Sequence, residues 1–195
     1  MSGREFDGLG PLDVHVWVVR LDAPDRQRRH ELARSAQREV IGGYLGLAPA
    51  TVALTRQASG KPVLADGALQ FNLSHSGAVA LVAVSRELPV GVDVQEPHAA
   101  PTRSWFAKRI CSPREYERVG ALADPEALMR LWVRKEAVIK ARGEGSYVSV
   151  DGVDVLDDQV EGGWLCQDLP IALPGYQAAV VTRDVPRVTI TVRDF

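Results

Sequence analysis

The sequence predicts an α+β protein whose two halves meet near Val90. Two long segments, residues 26–45 and 125–142, have the apolar spacing and the end residues of helices. Short runs rich in valine, isoleucine and leucine, typical of strands, occur before, between and after them. We therefore expect helices and small sheets to share a chain of 195 residues, a length that suits one large domain or two small ones with a common interface.

Composition limits the classes of function. Apolar residues make up 46% of the chain, enough for a core, and a net charge of −2 argues against a nucleic-acid-binding protein. The N-terminus lacks the features of a signal peptide, and the longest apolar run, residues 78–84, is too short to cross a bilayer. Cys111 and Cys166 are too few for a structural zinc site and are expected to be reduced. We expect a cytoplasmic protein that does not act on membranes.

The predicted strands are short, and one of them is continuously apolar. Residues 78–84 have no polar side chain, which is typical of a strand buried on both faces. A four-residue loop separates this run from residues 90–95, so we predict a hairpin. The full set of predicted strands is residues 14–21, 69–73, 78–84, 90–95, 153–156, 164–167, 178–182 and 188–192.

The helix ends have recognisable capping residues. Asp22 or Asp25 can cap the first long helix, and Asp124 can cap the second, which we expect to end at Gly143. Between the long helices, a segment at 102–109 can be helical, and Ser112 begins a capping box that predicts a short helix over residues 113–119.

Three segments concentrate polar side chains in a way that suggests chemistry. Alternation along residues 90–95 puts Asp93 and Gln95 on one face, and two hard oxygen donors suit magnesium, although an exposed edge strand has the same pattern. On the second long helix, Glu136 and Lys140 share a face with Trp132. Apolar residues face nearly all directions around that helix, so it should be largely buried, and its charges, Lys135 among them, need partners such as a metal or a phosphate, unless they form a solvated pair.

The third segment, Phe-Asn-Leu-Ser-His-Ser-Gly at 71–77, brings hydroxyls, an imidazole and backbone N–H groups to one place. We predict that Ser74 and His75 lie on a turn between two strands, where such groups can bind an anion. The chain has no Gly-x-Ser-x-Gly motif, and adjacent serine and histidine cannot easily form a triad, so this segment is not the nucleophile elbow of a serine hydrolase.

Taken in order, these segments resemble the Sfp-type 4′-phosphopantetheinyl transferase family. The resemblance rests on Ser-Gly-Lys-Pro at 59–62, on residues 71–77, on Val-Gly-Val-Asp-Val at 90–94 and on Trp-Val-Arg-Lys-Glu-Ala at 132–137 with Lys140. It implies two similar α/β halves, residues 1–90 and 91–195, each a small antiparallel sheet packed with a long helix. It also implies transfer of 4′-phosphopantetheine from coenzyme A, bound between the halves, to a serine of an acyl or peptidyl carrier protein.

The resemblance also implies roles for individual residues. Asp93 and Glu136, with Gln95, would hold Mg²⁺, and Glu136 would be the general base, since Lys140 would first have to lose a proton that a phosphate favours. Residues implied to contact coenzyme A are Lys61, Ser74, His75, Lys140 and one or more of Arg26, Arg29 and Arg34. The family usually has an acidic residue where this chain has Gln95, which predicts weaker metal binding.

Two other functions remain open from the sequence. A magnesium-dependent nucleotide phosphohydrolase would use the same carboxylates, and a non-catalytic relative could bind coenzyme A or a carrier without transfer. For a transferase, we expect a monomer whose carrier docks near the short helix at 113–119. Tyr116 and Val119 either form an apolar docking strip or pack inward, and the basic residues expected to attract an acidic carrier are Arg109, Arg114 and Arg118.

Overall fold

The computed structural model describes residues 6–96, 104–120, 124–144 and 149–195. Its helices are α1 Arg26–Leu45, α2 Ser104–Ile110, α3 Pro113–Glu115 and α4 Pro125–Arg142, and α3 continues into a π-helical turn at Tyr116–Gly120. Its strands are β1 Asp13–Arg20, β2 Leu54–Arg56, β3 Pro62–Leu64, β4 Gln70–Ser76, β5 Val79–Ser85, β6 Gly91–Gln95, β7 Gln159–Val160, β8 Trp164–Asp168, β9 Gln177–Arg183 and β10 Thr189–Asp194. In the described residues, no helix is both long and apolar enough to cross a membrane.

The predicted ends of the long helices are confirmed. Asp25, not Asp22, caps α1 by accepting a hydrogen bond from the backbone N–H of Arg28. Asp124 caps α4 in the same way, and α4 ends where Gly143 takes a left-handed conformation with φ of 71°. The capping box that begins at Ser112 is also present. These signals are local, so the sequence alone is sufficient to locate the helix ends.

Two four-stranded sheets organise the chain, with strand orders β10-β1-β5-β4 and β6-β9-β8-β7, and β2 and β3 form a separate hairpin. The predicted hairpin between residues 78–84 and 90–95 is wrong, because β6 pairs with β9 in the second sheet. The reason is that β5 already has β1 on one edge and β4 on the other, so neither edge is free for β6.

The last strand does not stay in the second half. β10 pairs with β1 in parallel, as an edge of the first sheet. A division of the chain into residues 1–90 and 91–195 is therefore wrong for this strand, which fills the edge that β1 leaves open on the side away from β5.

The strand predicted at 153–156 is absent, although the side chains of Val153 and Val155 are buried. Buried charged side chains hydrogen-bond with its backbone instead of a neighbouring strand. Glu115 accepts the N–H of Val155 at 2.8 Å, Arg134 donates to the carbonyl of Val155 at 2.8 Å, and Lys135 donates to the carbonyl of Val153. A ladder bond would need the same backbone groups.

The layers follow from which side chains each strand buries. One face of the first sheet packs on α1, and one face of the second packs on α4. The remaining faces of the two sheets pack on each other through valine, leucine and alanine side chains, among them Val16, Leu81, Val92 and Val180. The result is a helix–sheet–sheet–helix arrangement, which confirms an α+β fold.

Side chains of β4 join the two sheets where β4 and β6 run side by side. Three alternate residues of β4 accept hydrogen bonds from three alternate backbone N–H groups at and beyond β6, a set that we call the β4–β6 seam. The bonds are Val92 to Asn72 Oδ1 at 2.9 Å, Val94 to Ser74 Oγ at 3.4 Å, and Glu96 to Ser76 Oγ at 3.1 Å. The seam therefore replaces a backbone ladder and sets the register between the sheets.

On its other face, β6 approaches α4 so closely that only glycine fits at its first residue. A Cβ atom at Gly91 would lie 2.9 Å from the Cα of Ala141 and still closer to the carbonyl oxygen of Ala137. Backbone atoms on both sides of this contact leave little room for adjustment, so the contact fixes the distance between the strand and the helix.

Replacing Gly91→Ala is therefore expected to lower the free energy of unfolding by about 1–3 kcal/mol, because the added methyl group overpacks the contact with α4. Urea unfolding followed by circular dichroism measures the change. Gly152→Ala is the matched control, since a Cβ there meets nothing within 4 Å. Equal losses in the two variants would show that the approach of β6 to α4 is not tight.

Candidate functional site

Three of the predicted motifs meet at the carboxylate of Asp93. Its Oδ1 atom lies 2.5 Å from Lys140 Nζ on α4 and accepts a hydrogen bond from Ser74 Oγ on β4 at 2.7 Å. Lys140 Nζ also lies 3.2 Å from Ser74 Oγ. Asp93 is buried with 1% of its surface exposed, so this carboxylate, ammonium and hydroxyl form one connected group.

Glu136 lies one helical turn before Lys140 and adds a second carboxylate. Burial, and then the charge of Asp93, raise the pKa of the Glu136 carboxyl, while Lys140 acts in the opposite direction. Within the described residues, no side chain forms a hydrogen bond or ion pair with this carboxylate. A half-buried carboxylate with a raised pKa and no partner fits either a proton acceptor or a cation ligand.

Gln95 completes the group, but its amide is turned away from the role of ligand. Its Nε2 atom donates to Asp93 Oδ2 at 3.2 Å, and its Oε1 atom lies 3.4 Å from Ser76 Oγ. The amide must rotate before its oxygen can face a cation beside Asp93. In the described part of the chain, no three histidine, cysteine, aspartate or glutamate side chains are arranged to hold a metal. Two carboxylates and one amide fit Mg²⁺, which keeps several waters and needs few protein ligands.

The two fully buried charged residues of α4, Arg134 and Lys135, are structural, which corrects the expectation that the charges of this helix need a metal or a phosphate. Lys135 and Glu115 are both fully buried and form an ion pair with their atoms 2.7 Å apart. The guanidinium of Arg134 is also fully buried and forms ion pairs with Asp158 and Asp168 at 3.0 Å. The helical pattern alone did not distinguish Lys135 and Arg134 from Glu136 and Lys140.

His75 lies within β4, not on a turn, because β4 extends to Ser76. Its Nε2 atom lies 3.0 Å from Nδ1 of His30 on α1, and we call these two residues the imidazole pair. Burial lowers the pKa of His75, as do the nearby charges of His30, Arg26 and Lys140. His30 was missed at the sequence level, although it stands four residues after Arg26 and thus on the same helical face.

The arginines of α1 divide into two groups. Arg28 pairs with a glutamate one turn further along, Arg29 donates to a backbone carbonyl before the helix at 2.8 Å, and Arg38 donates to one after it at 2.7 Å. Arg26 and Arg34, one turn before and one turn after His30, form none of these contacts. Their contact with coenzyme A, and that of Arg29, stays a prediction.

Lys61 connects the turn at 59–62 to both carboxylate-bearing elements. Its ammonium donates to the carbonyl oxygen of Lys140 at 2.7 Å and to that of Val90 at 3.2 Å. Burial lowers the pKa of Lys61 to about 8. These bonds hold the end of α4 against the start of β6, and a contact between Lys61 and a nucleotide stays a prediction.

A cleft of about 450 Å³ opens beside these groups, and both Glu136 and Lys140 line it. Trp132 and Ile139 give it an apolar wall, and Arg109 of α2 adds a cation at its edge. From the sequence, Arg109 was expected only to attract an acidic carrier protein. The cleft thus joins the carboxylates to the surface that carries α2.

Comparisons with known proteins agree on one family. A family model described as the 4′-phosphopantetheinyl transferase superfamily matches residues 89–185, which include all of β6 and α4. The 4′-phosphopantetheinyl transferase HetI of Nostoc sp. is 33% identical over 165 residues, which cover 68% of this chain and 70% of that protein. A 4′-phosphopantetheinyl transferase of Bacillus subtilis is 31% identical over 159 residues, covering 75% and 70%. A human L-aminoadipate-semialdehyde dehydrogenase-phosphopantetheinyl transferase is 31% identical over 123 residues, covering 55% and 40%.

Glu136→Gln is expected to raise the melting temperature of the metal-free protein near neutral pH. The raised pKa means that the folded state disfavours the charged carboxyl, and the amide removes that cost. The gain in melting temperature should shrink as pH falls through the raised pKa of Glu136 and vanish below the ordinary pKa of 4.5, where the carboxyl is protonated in both the folded and unfolded states. Thermal scans in chelator at several pH values measure it. Glu117→Gln, at an exposed position, is the control. A gain in melting temperature that does not depend on pH would show that the pKa of Glu136 is not raised.

Proposed function

Since the chain belongs to the 4′-phosphopantetheinyl transferase superfamily and acts as such a transferase, we propose that the group around Asp93, Glu136 and Lys140 is its active site. The observation that carries the proposal is the connection of Asp93 to Ser74 and Lys140, with Glu136 beside it and a cleft leading outward. Three motifs far apart in the sequence meet there. The transferred group comes from coenzyme A and is received by a serine of an apo acyl or peptidyl carrier protein.

In the reaction, the serine oxygen of the carrier forms a bond to the phosphorus that bears pantetheine, and the pyrophosphate bond of coenzyme A breaks. Adenosine 3′,5′-bisphosphate leaves with the bonding electron pair, and the serine proton goes to a base. Glu136 suits that role because its carboxylate lines the cleft together with Lys140, one helical turn further along α4. The ammonium of Lys140 lies where it can stabilise the negative charge on the phosphates.

Asp93 and Glu136 would hold Mg²⁺, with Gln95 as a third oxygen donor after its amide rotates. When bound, the metal neutralises charge on the pyrophosphate. Gln95 supplies no negative charge, so we expect a higher magnesium requirement than a third carboxylate would give. Membership in the family supports this transfer over the alternative of a nucleotide phosphohydrolase. An assay of transfer to a carrier tests the other alternative, a relative that binds coenzyme A or a carrier without catalysis.

We extend the proposal to the architecture and setting of the enzyme. The two sheets, each with its own long helix, would be related by a pseudo-twofold axis that passes near the β4–β6 seam. The buried, unpaired thiols of Cys111 and Cys166 support a reducing cytoplasmic setting. The net charge of −2 supports small-molecule and protein substrates over nucleic acid, and we expect a monomer.

The carrier would dock across α2 and the turn that follows α3. Tyr116 and Val119 pack against the core of the second half, so they do not form the apolar strip that the sequence left open. Arg114 is also engaged, by Asp154 at 3.1 Å and Asp157 at 2.5 Å. Trp105, with 52% of its surface exposed, offers an apolar contact instead. Besides Arg114, the exposed cations of the described part of this surface are Lys108, Arg109 and Arg118.

Mass spectrometry of an apo-carrier incubated with coenzyme A, Mg²⁺ and the protein should show addition of the phosphopantetheine mass. Asp93→Asn and Glu136→Gln should each slow transfer by at least about a hundredfold, because each removes charge that holds the metal. Gln95→Glu should instead add a negative charge that strengthens metal binding, so this variant should reach its half-maximal rate at a lower Mg²⁺ concentration than the unchanged protein. No mass shift on several acyl and peptidyl carriers would overturn the proposed function.

Arg118→Glu should raise the KM for an acidic carrier several-fold and leave the KM for coenzyme A unchanged, because it reverses a charge only on the docking surface. The effect should weaken as salt is added, since exposed charges are screened. Arg20→Glu, an exposed reversal on β1 of the first sheet, is the matched control. Equal KM changes in the two variants would show that the carrier docks elsewhere.

A further inference from the structure

A second cavity, of about 450 Å³, adjoins Lys61 and has no part in the roles proposed above. Its lining comes from β3, from the loop that leads to β4 and from the first residues of β4, and on the other side from the end of α4 at Ala141 and Arg142. Lys61 lines both this cavity and the cleft beside Glu136, so its side chain borders the two. The volume is within the range of small-molecule sites in proteins.

One polar side chain of the second cavity has no partner among the described residues. Gln70 precedes Asn72 by the same alternation that forms the β4–β6 seam, but the seam begins only at Asn72. Gln70 is half-buried, and within the described part of the chain its side-chain amide forms no hydrogen bond. An amide offers two donors and an acceptor. The cavity therefore begins where the seam ends, with a hydrogen-bonding group left for a ligand.

The lining of the second cavity favours an amphipathic anion. Three buried apolar side chains contribute to it: Leu64, Leu69 and Phe71. Of its described charged residues, Lys61 and Arg142 are cations and Asp66 is an acid. The carboxylate of Asp66 already accepts the N–H of Ala68 at 3.1 Å. An excess of one positive charge beside an apolar wall suits a ligand that has one negative charge and an apolar body.

The carbonyl end of α4 does not oppose an anion at this place. The carbonyl oxygen of Lys140 already accepts hydrogen bonds from the ammonium of Lys61 at 2.7 Å and from the N–H of Gly143 at 3.2 Å. Arg142 adds a positive charge to the last turn, and its ion pair with Glu144 is long, at 4.0 Å. Positive side chains therefore offset the negative end of the helix dipole.

We propose that the second cavity is a regulatory site for a small amphipathic carboxylate, which weakens the binding of coenzyme A by drawing Lys61 away from its backbone partners. Those partners are the carbonyls of Lys140 on α4 and of Val90 before β6. A carboxylate binds an ammonium about twice as strongly as a neutral carbonyl does, so the ligand displaces the lysine toward itself. The effect on coenzyme A rests on the proposed function, whereas binding in the second cavity does not.

The effect on the cleft follows from what these bonds hold in place. Lys61 fixes the end of α4 against the start of β6, and Lys140 carries the ammonium that contacts Asp93. When the bonds of Lys61 lengthen, the distance between Lys140 and Asp93 is no longer fixed, and Lys61 leaves the wall of the cleft. Coenzyme A and the carboxylate therefore lower the affinity for each other by the same factor.

Isothermal titration calorimetry of coenzyme A binding to the intact protein, at increasing concentrations of octanoate, tests the proposal. The Kd of coenzyme A should rise about fivefold or more and then reach a plateau, because the two ligands occupy different sites and only weaken each other. Octanamide has the same chain without the charge and should have little effect. Ligand-detected NMR measures the binding of octanoate itself in the absence of coenzyme A.

Two variants change the second cavity and leave the cleft intact. Ala65→Trp, at an exposed position of the lining, adds a large side chain that should block octanoate binding. Arg142→Gln should weaken octanoate binding about tenfold. Arg183→Gln is the matched control: Arg142 and Arg183 both donate to backbone carbonyls, those of Glu161 and Gly162, but Arg183 does not line the cavity. All three variants should bind coenzyme A alone within about twofold of the unchanged protein.

The outcomes distinguish failure of this inference from failure of the proposed function. A Kd of coenzyme A that rises without a plateau would mean competition within the cleft and would overturn the inference. A constant Kd, absence of octanoate binding, or an equal effect of octanoate on Ala65→Trp would also overturn it, and all of these leave the proposed function intact. Absence of coenzyme A binding to the unchanged protein overturns the proposed function and the coupling, while the NMR titration still decides whether the cavity binds a carboxylate.

Discussion

The β4–β6 seam is the constraint on which the rest of the structure depends. Because alternate side chains of β4 bond to the backbone of β6, the two sheets hold a fixed register without sharing a backbone ladder. Ser74 belongs to the seam and to the site at once, since its hydroxyl accepts from Val94 and donates to Asp93. A slip of one residue would turn His75 toward β6 and Ser74 toward α1, which would disconnect the active site.

Much of the site was predictable because its signals are local. The period of two along β6 put Asp93 and Gln95 on one face, and a spacing of four residues on α4 put Glu136 and Lys140 one turn apart. That these elements come together was implied only by the family resemblance that the four motifs carry in order. Lys61 differs, since its loop position gave no sign that two backbone carbonyls would take its ammonium.

The features that could not be predicted from the sequence depend on contacts between distant segments of the chain. The predicted hairpin failed because β5 had better-placed neighbours on both edges, a fact that residues 78–95 do not contain. Lys135 and Glu136 are adjacent charged residues that the sequence of α4 does not distinguish. Lys135 is structural because it forms a buried ion pair with Glu115, which belongs to another helix. His30 was hidden for the same reason. On a helix rich in arginine, a histidine is typical of a solvated surface until a strand 45 positions later brings a second imidazole to it.

The parallel pairing of β10 with β1 has a consequence for how the chain acquires its fold. β1 lies near the beginning of the chain and its partner near the end, so the loop that this pairing closes is among the longest available. During synthesis, the first sheet is left with an open edge at β1 while the second half is being made. Folding of the first half thus cannot finish before the ribosome has released most of the second, and high contact order predicts slow formation of that edge. Until β10 pairs with it, the open edge of β1 is a template on which a strand of another chain can pair.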